Sequence, residues 1–84
     1  MKPEYIRAGT EVYVEKLRPY NSFRCQKRET GLIGVVIAPH SGWKEDCWVV
    51  RHEDGTEGVY FYDEIESIHM VYWYMVRKMY GYIP

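Results

Sequence analysis

The pattern of polar and apolar positions predicts four strands along this chain, the first by strict alternation. In Glu11-Val12-Tyr13-Val14-Glu15 the β-branched Val12 and Val14 share one face. Gly31 to Ala38 (GLIGVVIA) is a continuous aliphatic run with Gly34 inside it, which suggests a bulge or a bend. In Asp46 to His52 the pair Trp48 and Val50 falls on one face, read as inward. Gly58 to Tyr62 places Val59 and Phe61 inward and Tyr60 and Tyr62 outward. Between the third and fourth strands stands Glu53-Asp54-Gly55-Thr56, and Asp-Gly supplies the positive φ that a tight hairpin needs. Pro39-His40-Ser41-Gly42 reads as a turn.

The remaining segments do not alternate. Residues 1–8 read as a polar lead-in and 17–30 as a long polar loop punctuated by Pro19, Asn21 and Ser22. Loops of that length in a compact domain are often functional. Asp63 to Ile68 reads as one helical turn with Asp63 as its N-cap and with Ile65 and Ile68 plugging the end of the core. The tail pulls two ways. Val71, Tyr72, Trp73 and Val76 favour strand, whereas Arg77-Lys78 followed by Gly81 is a helix C-terminal signature. The expectation is a short strand over 68–71 and a short helix over 72–80. The predicted core is Val12, Val14, Ile33, Val35, Ile37, Trp48, Val50, Val59, Phe61, Ile65 and Ile68.

Four short strands, a long loop after the first, an Asp-Gly hairpin and a helical turn before a last strand resemble an SH3-like small barrel. The residues that carry the resemblance are GTEVYV at 9–14, GLIGVVI at 31–37, WVVRHEDGT at 48–56 and EIE at 64–66. The second is similar to the strand–Gly–strand piece of KOW-type modules, the third to Tudor-like barrels. The stretch between the first strand and Gly31 is longer than a KOW motif has. The resemblance therefore implies a fold and no single function. The expected class is mainly β: a barrel of about five strands over 9–70, preceded by the 1–8 lead-in and followed by an aromatic extension over 71–84 that packs on the barrel or on a partner.

Composition sharpens this picture. The chain has 84 residues, enough for one domain. Nine Tyr, three Trp and two Phe exceed what so small a core needs. No apolar run is long enough to span a bilayer, and no apolar leader is seen, so no membrane association is expected. The two cysteines, Cys25 and Cys47, are too few for a disulfide framework and suggest a reduced, cytoplasmic setting. Whether they pair is a matter of geometry. Net charge is −1, but its distribution is uneven. Residues 1–30 carry seven Lys/Arg against four acids, residues 31–67 two against eight, and residues 68–84 add Arg77 and Lys78.

Two binding readings follow. In the first, the aromatic surface formed by Tyr60, Tyr62, Tyr72 and Trp73 anchors a protein partner, since Tyr and Trp dominate interface hot spots. The chain is then a small non-catalytic interaction module or accessory protein, and self-association into a homo-oligomer is a variant of the same idea. A chain this small would suit a viral or mobile-element protein docking on a host protein. In the second, the basic loop binds nucleic acid: Lys16, Arg18, Arg24, Lys27 and Arg28 meet phosphates, and Tyr20 and Phe23 stack on bases. Weaker candidates are an aromatic cage for a methylated cation beside Asp54 or Asp63, and a Cys47 dyad with His40 or His52. Cys25, His40, Cys47 and His52 lack the spacing of a closed zinc site. No enzyme activity, metal or cofactor is expected.

Overall fold

A computed structural model describes residues 1–19, 25–40 and 46–68. The fold is mainly β. Five strands, β1 (Glu11–Val14), β2 (Ile33–His40), β3 (Cys47–His52), β4 (Glu57–Phe61) and β5 (Ile65–Ser67), form one antiparallel sheet in the order β4-β3-β2-β1-β5. Short 3-10 turns at Pro3–Tyr5 and Tyr62–Glu64 complete the described elements. The expected extension over 71–84, with its helix, lies outside the described residues.

The connection between β4 and β5 forces the sheet to curl. These strands lie on opposite edges, four spacings apart, which in a flat sheet is about 19 Å. Phe61 and Ile65 are separated by only the Tyr62–Glu64 turn, and four extended residues reach at most about 14 Å. The edges must therefore approach one another. No ladder joins β4 to β5 among the described residues, so the sheet is curled but not closed.

Its concave face holds Ile6, Val12, Val14, Val36, Val50, Tyr60 and Ile65, with Met1, Leu17, Leu32, Trp48 and Tyr62 packed around them. The lead-in is thus part of the core rather than a polar preface: Pro3 opens the first turn and Ile6 is buried behind it. A second cluster of Cys47, Val59 and Phe61, with Cys25 and Val49, lies on the opposite face of β3 and β4. Both cysteines are free thiols.

Several alternations run opposite to expectation. On β2 the inward residues are Gly34 and Val36, while Ile33 and Ile37 are half-buried and Val35 is 38% exposed. Both faces of this run are aliphatic, so its pattern carries no parity; register decides instead. Val12 faces Gly34, and Gly34 faces His52. A Cβ at Gly34 would strike the Arg51 carbonyl, so only glycine lets the two strands meet there. The bulge sits at Ile37, which has no partner between Val36↔Val50 and Ala38↔Val49, and not at Gly34. Pro39-His40 continues β2 instead of turning, because β1 pairs with β2 only through Ile33–Val35 and leaves a proline-tolerant free edge beyond it.

Tyr60 corrects the β4 reading. It is fully buried in the main core, while Val59 and Phe61 fill the second cluster, because β4 is covered on both faces. The turn after β4 ends at Glu64, has Phe61 rather than Asp63 at its N-cap position, and gives way to β5 earlier than the expected 68–71. Ile68 is half-buried and not part of the core.

One ion pair ties these pieces together. Arg28 and Glu64 meet in bidentate fashion, Nη1 to Oε1 and Nη2 to Oε2, both at 2.8 Å, with side chains 3% and 0% exposed. The carboxylate also accepts the backbone N–H of Phe61 at 2.8 Å and of Arg18 at 2.7 Å. Arg28 Nη1 donates to the Val59 carbonyl as well. A buried charge left alone is costly. Glu64→Gln is therefore expected to lose about 3–5 kcal/mol, lowering the thermal midpoint by more than about 10 °C for a domain of this size. Replacing both partners with Arg28→Met and Glu64→Leu should recover part of that loss in the same melting experiment.

Candidate functional site

The basic loop is largely spent inside the molecule. Arg28 is buried against Glu64 and its guanidinium lies 5.2 Å from the Tyr60 ring centre. Arg18 Nε donates to Asp63 Oδ1 at 3.0 Å, and its guanidinium stacks 3.9 Å over Phe61. Lys27 Nζ donates to Asp54 at 3.1 Å. That bond and the nearby carboxylate raise the Lys27 pKa. Lys16 alone of the described loop cations is exposed without an ion pair. Tyr20, Phe23 and Arg24 lie outside the described residues. The sequence showed five cations in a polar loop; it could not show that the acidic 53–64 segment folds against three of them.

The loop's actual work is to cover a sheet edge. The outward-pointing groups of β4 belong to Glu57, Val59 and Phe61. Gln26 N and Lys27 N donate to the Glu57 carbonyl at 3.0 and 3.2 Å, and Glu57 N donates to Gln26 Oε1 at 2.8 Å. Arg28 takes the Val59 carbonyl and Glu64 takes the Phe61 N–H. An edge that would otherwise template another strand is thereby occupied. Gly58 permits the close approach: a Cβ there would meet the Lys27 carbonyl and the Tyr60 ring.

The proposed aromatic anchors separate. Tyr60 is inside, its hydroxyl 2.6 Å from His52 Nε2, and burial pushes its pKa up to about 12. It is not available as a partner contact. Tyr62 is half-buried against the core. Tyr72 and Trp73 lie outside the described residues.

What the sheet does expose is an apolar groove of about 470 Å³ on the outer face of β2. Ile33, Val35 and the bulged Ile37 form its floor, and Ile68, the last described residue, joins them. Ordinary alternation along the strand puts Ile37 on the same face as Ile33 and Val35. Glu11 and Glu53 stand on the rim, both exposed and without an ion pair among the described residues. Arg51, also on the rim, is neutralised by Glu57 at 2.8 Å. The groove is thus apolar with an acidic border. Sequence reading missed it because it assigned Ile33, Val35 and Ile37 to the core. The signal was present: an aliphatic run long enough for two faces, in a chain with one main core.

Among the described residues no three His, Cys, Asp or Glu side chains converge as a metal site. No described helix is long and apolar enough to cross a membrane.

Conservative replacement should separate the cations. Arg28→Lys cannot reproduce the two-pronged contact and is expected to cost about 2 kcal/mol or more. Arg18→Lys, at a half-exposed pair, should stay within about 1 kcal/mol. Denaturant unfolding of both variants reads the difference directly. No protein-family model, curated protein or solved structure matches the chain, so its chemistry is argued from its own side chains.

Proposed function

We propose that this chain is an SH3-like small barrel acting as a non-catalytic protein-interaction module. The β2 groove is its docking surface. The single observation that carries the reading is the aliphatic row on the outer face of β2, with Val35 exposed and Ile33 and Ile37 half-buried, bordered by Glu11 and Glu53. Exposed apolar rows are costly to leave in water unless something covers them. The acidic border fits a polypeptide that presents aliphatic side chains flanked by Lys or Arg. Such a segment would lie along about 13 Å of strand, the length of four extended residues.

Support for the fold comes from the five antiparallel strands, the long first connection, the Asp-Gly hairpin and the 3-10 turn before β5. The aromatic residues Tyr72 and Trp73 lie four and five positions after Ile68, which lines the groove, and belong to the same proposed surface. The free thiols fit a reduced, cytoplasmic setting. Nucleic-acid binding is the weaker reading, because Arg18, Lys27 and Arg28 already have carboxylate partners.

The experiment is selection of the full chain against a random 12-residue peptide library. Binders are expected to carry alternating aliphatic residues beside a cation. Val35→Asp should weaken them at least about tenfold, while melting shifts little, because surface changes usually cost under about 0.5 kcal/mol. Binders indifferent to Val35→Asp would remove the groove from the reading. Micromolar affinity for mixed-sequence RNA or DNA that falls steeply with salt would replace it with the nucleic-acid one.

A further inference from the structure

Charge frames one end of the β2 groove. Glu11 stands opposite Val35 across the β1–β2 pairing, and Glu53 N donates to the Ile33 carbonyl at 3.0 Å. One carboxylate thus comes from β1 and the other from the residue directly after β3. Arg51, opposite Val35 on the β3 side, is already paired with Glu57. An aliphatic floor with two acids at one end is complementary to apolar side chains followed by cations.

The chain carries such a sequence where it leaves the groove. Ser67 pairs with Val12 at the end of β5, so the chain departs beside Glu11, and Ile68 lines the groove itself. The residues that follow include Val71-Tyr72-Trp73-Tyr74-Met75-Val76-Arg77-Lys78. Val71, Trp73 and Met75 are apolar at every second position, and two cations come next. Residues 69–84 hold no carboxylate side chain. Reach is no obstacle. The ten residues from His69 to Lys78 span at most about 35 Å, and the path along the floor to Ile37 and back is about 26 Å. The other segments outside the described residues start elsewhere: 20–24 lead into the cover of the β4 edge, and 41–45 join β2 to β3 beyond His40.

We propose that residues 71–78 of this same chain occupy the β2 groove, and that a partner's segment must displace them. The displacement rests on the docking reading above; the occupancy does not. Val71, Trp73 and Met75 cover the aliphatic floor, and Arg77 and Lys78 meet Glu11 and Glu53. Attachment at Ile68 makes the contact intramolecular, with an effective concentration on the order of 1 mM for a short tether. A contact with an intrinsic Kd of about 0.1 mM would then be formed about nine-tenths of the time, and a peptide from outside would bind about tenfold more weakly than to the open groove. Alone, the chain shields its apolar face from water and from casual contacts. It answers only to segments that outcompete its own.

The test uses the full chain, methyl-labelled for NMR. The wild type is expected to show NOE contacts from the Val35 methyls to the Trp73 ring or the Met75 methyl within one molecule. Mixing labelled with unlabelled chain separates these from contacts between copies. Arg77→Glu with Lys78→Glu should remove most of that contact and tighten library peptides about tenfold. Adding Glu11→Lys and Glu53→Lys to that variant should restore the contact, a result that general loss of folding would not give. No such contact in the wild type, contacts only between copies, or equal peptide affinity with and without the charge reversal would overturn the proposal. Contacts within one molecule, with no peptide bound by either form, would uphold the occupancy and remove the docking reading instead.

Discussion

A guanidinium and a carboxylate almost without access to water hold the two edges of this sheet in place. Arg28 comes from the irregular segment before β2, and Glu64 from the turn between β4 and β5. Neither side chain could be buried alone, because an uncompensated charge in the interior costs several kcal/mol. Paired, they also absorb the polar groups a curled sheet leaves open: the Val59 carbonyl, the Phe61 N–H and the Arg18 N–H. The pair's value is therefore less in its Coulomb energy than in geometry. It fixes where the 25–28 segment lies and where the chain turns from one sheet edge to the other.

From that constraint follows the covering of β4. Glycine at position 58 gives the segment room, and Tyr60 reaches back over the same spot to His52. The hairpin turn contributes Asp54 and Thr56, so local turn chemistry and long-range edge protection share atoms. A change at any one of these positions is felt at the others. Cations that look like a binding surface in one dimension are here the means by which the fold avoids an open strand edge.

The opposite side of the sheet is organised differently. Once Val12 and Gly34 fix the β1–β2 register, Ile33 and Val35 can only face outward, and alternation places Ile37 with them. The main core is filled by four valines, Ile6, Ile65 and the one large group, Tyr60. Aliphatic material left outside, next to acids that have no ion pair among the described residues, is the feature that sets this surface apart from the rest of the described molecule.

The sequence by itself determined the element types. Period-2 alternation marked β1, the face shared by Trp48 and Val50 marked β3, the Asp-Gly pair marked the hairpin, where Gly55 has φ 89°, and β-branched content made the chain mainly β. These are local properties, set by backbone sterics and side-chain spacing within a few residues. It also located the cations and the surplus of aromatics. It did not determine which face of β2 or β4 turns inward, because both faces of each are apolar and parity belongs to the pairing register. Nor did it determine that Arg28 is interior, that Tyr60 is core, or that Ile6 in the lead-in is buried. Each depends on a contact tens of residues away: Arg28 with Glu64, Tyr60 with Lys27, Ile6 with the main core. Only the tertiary structure, by bringing the acidic 53–64 segment against the basic loop, decided that those charges hold the fold and that the aliphatic row on β2 faces the solvent.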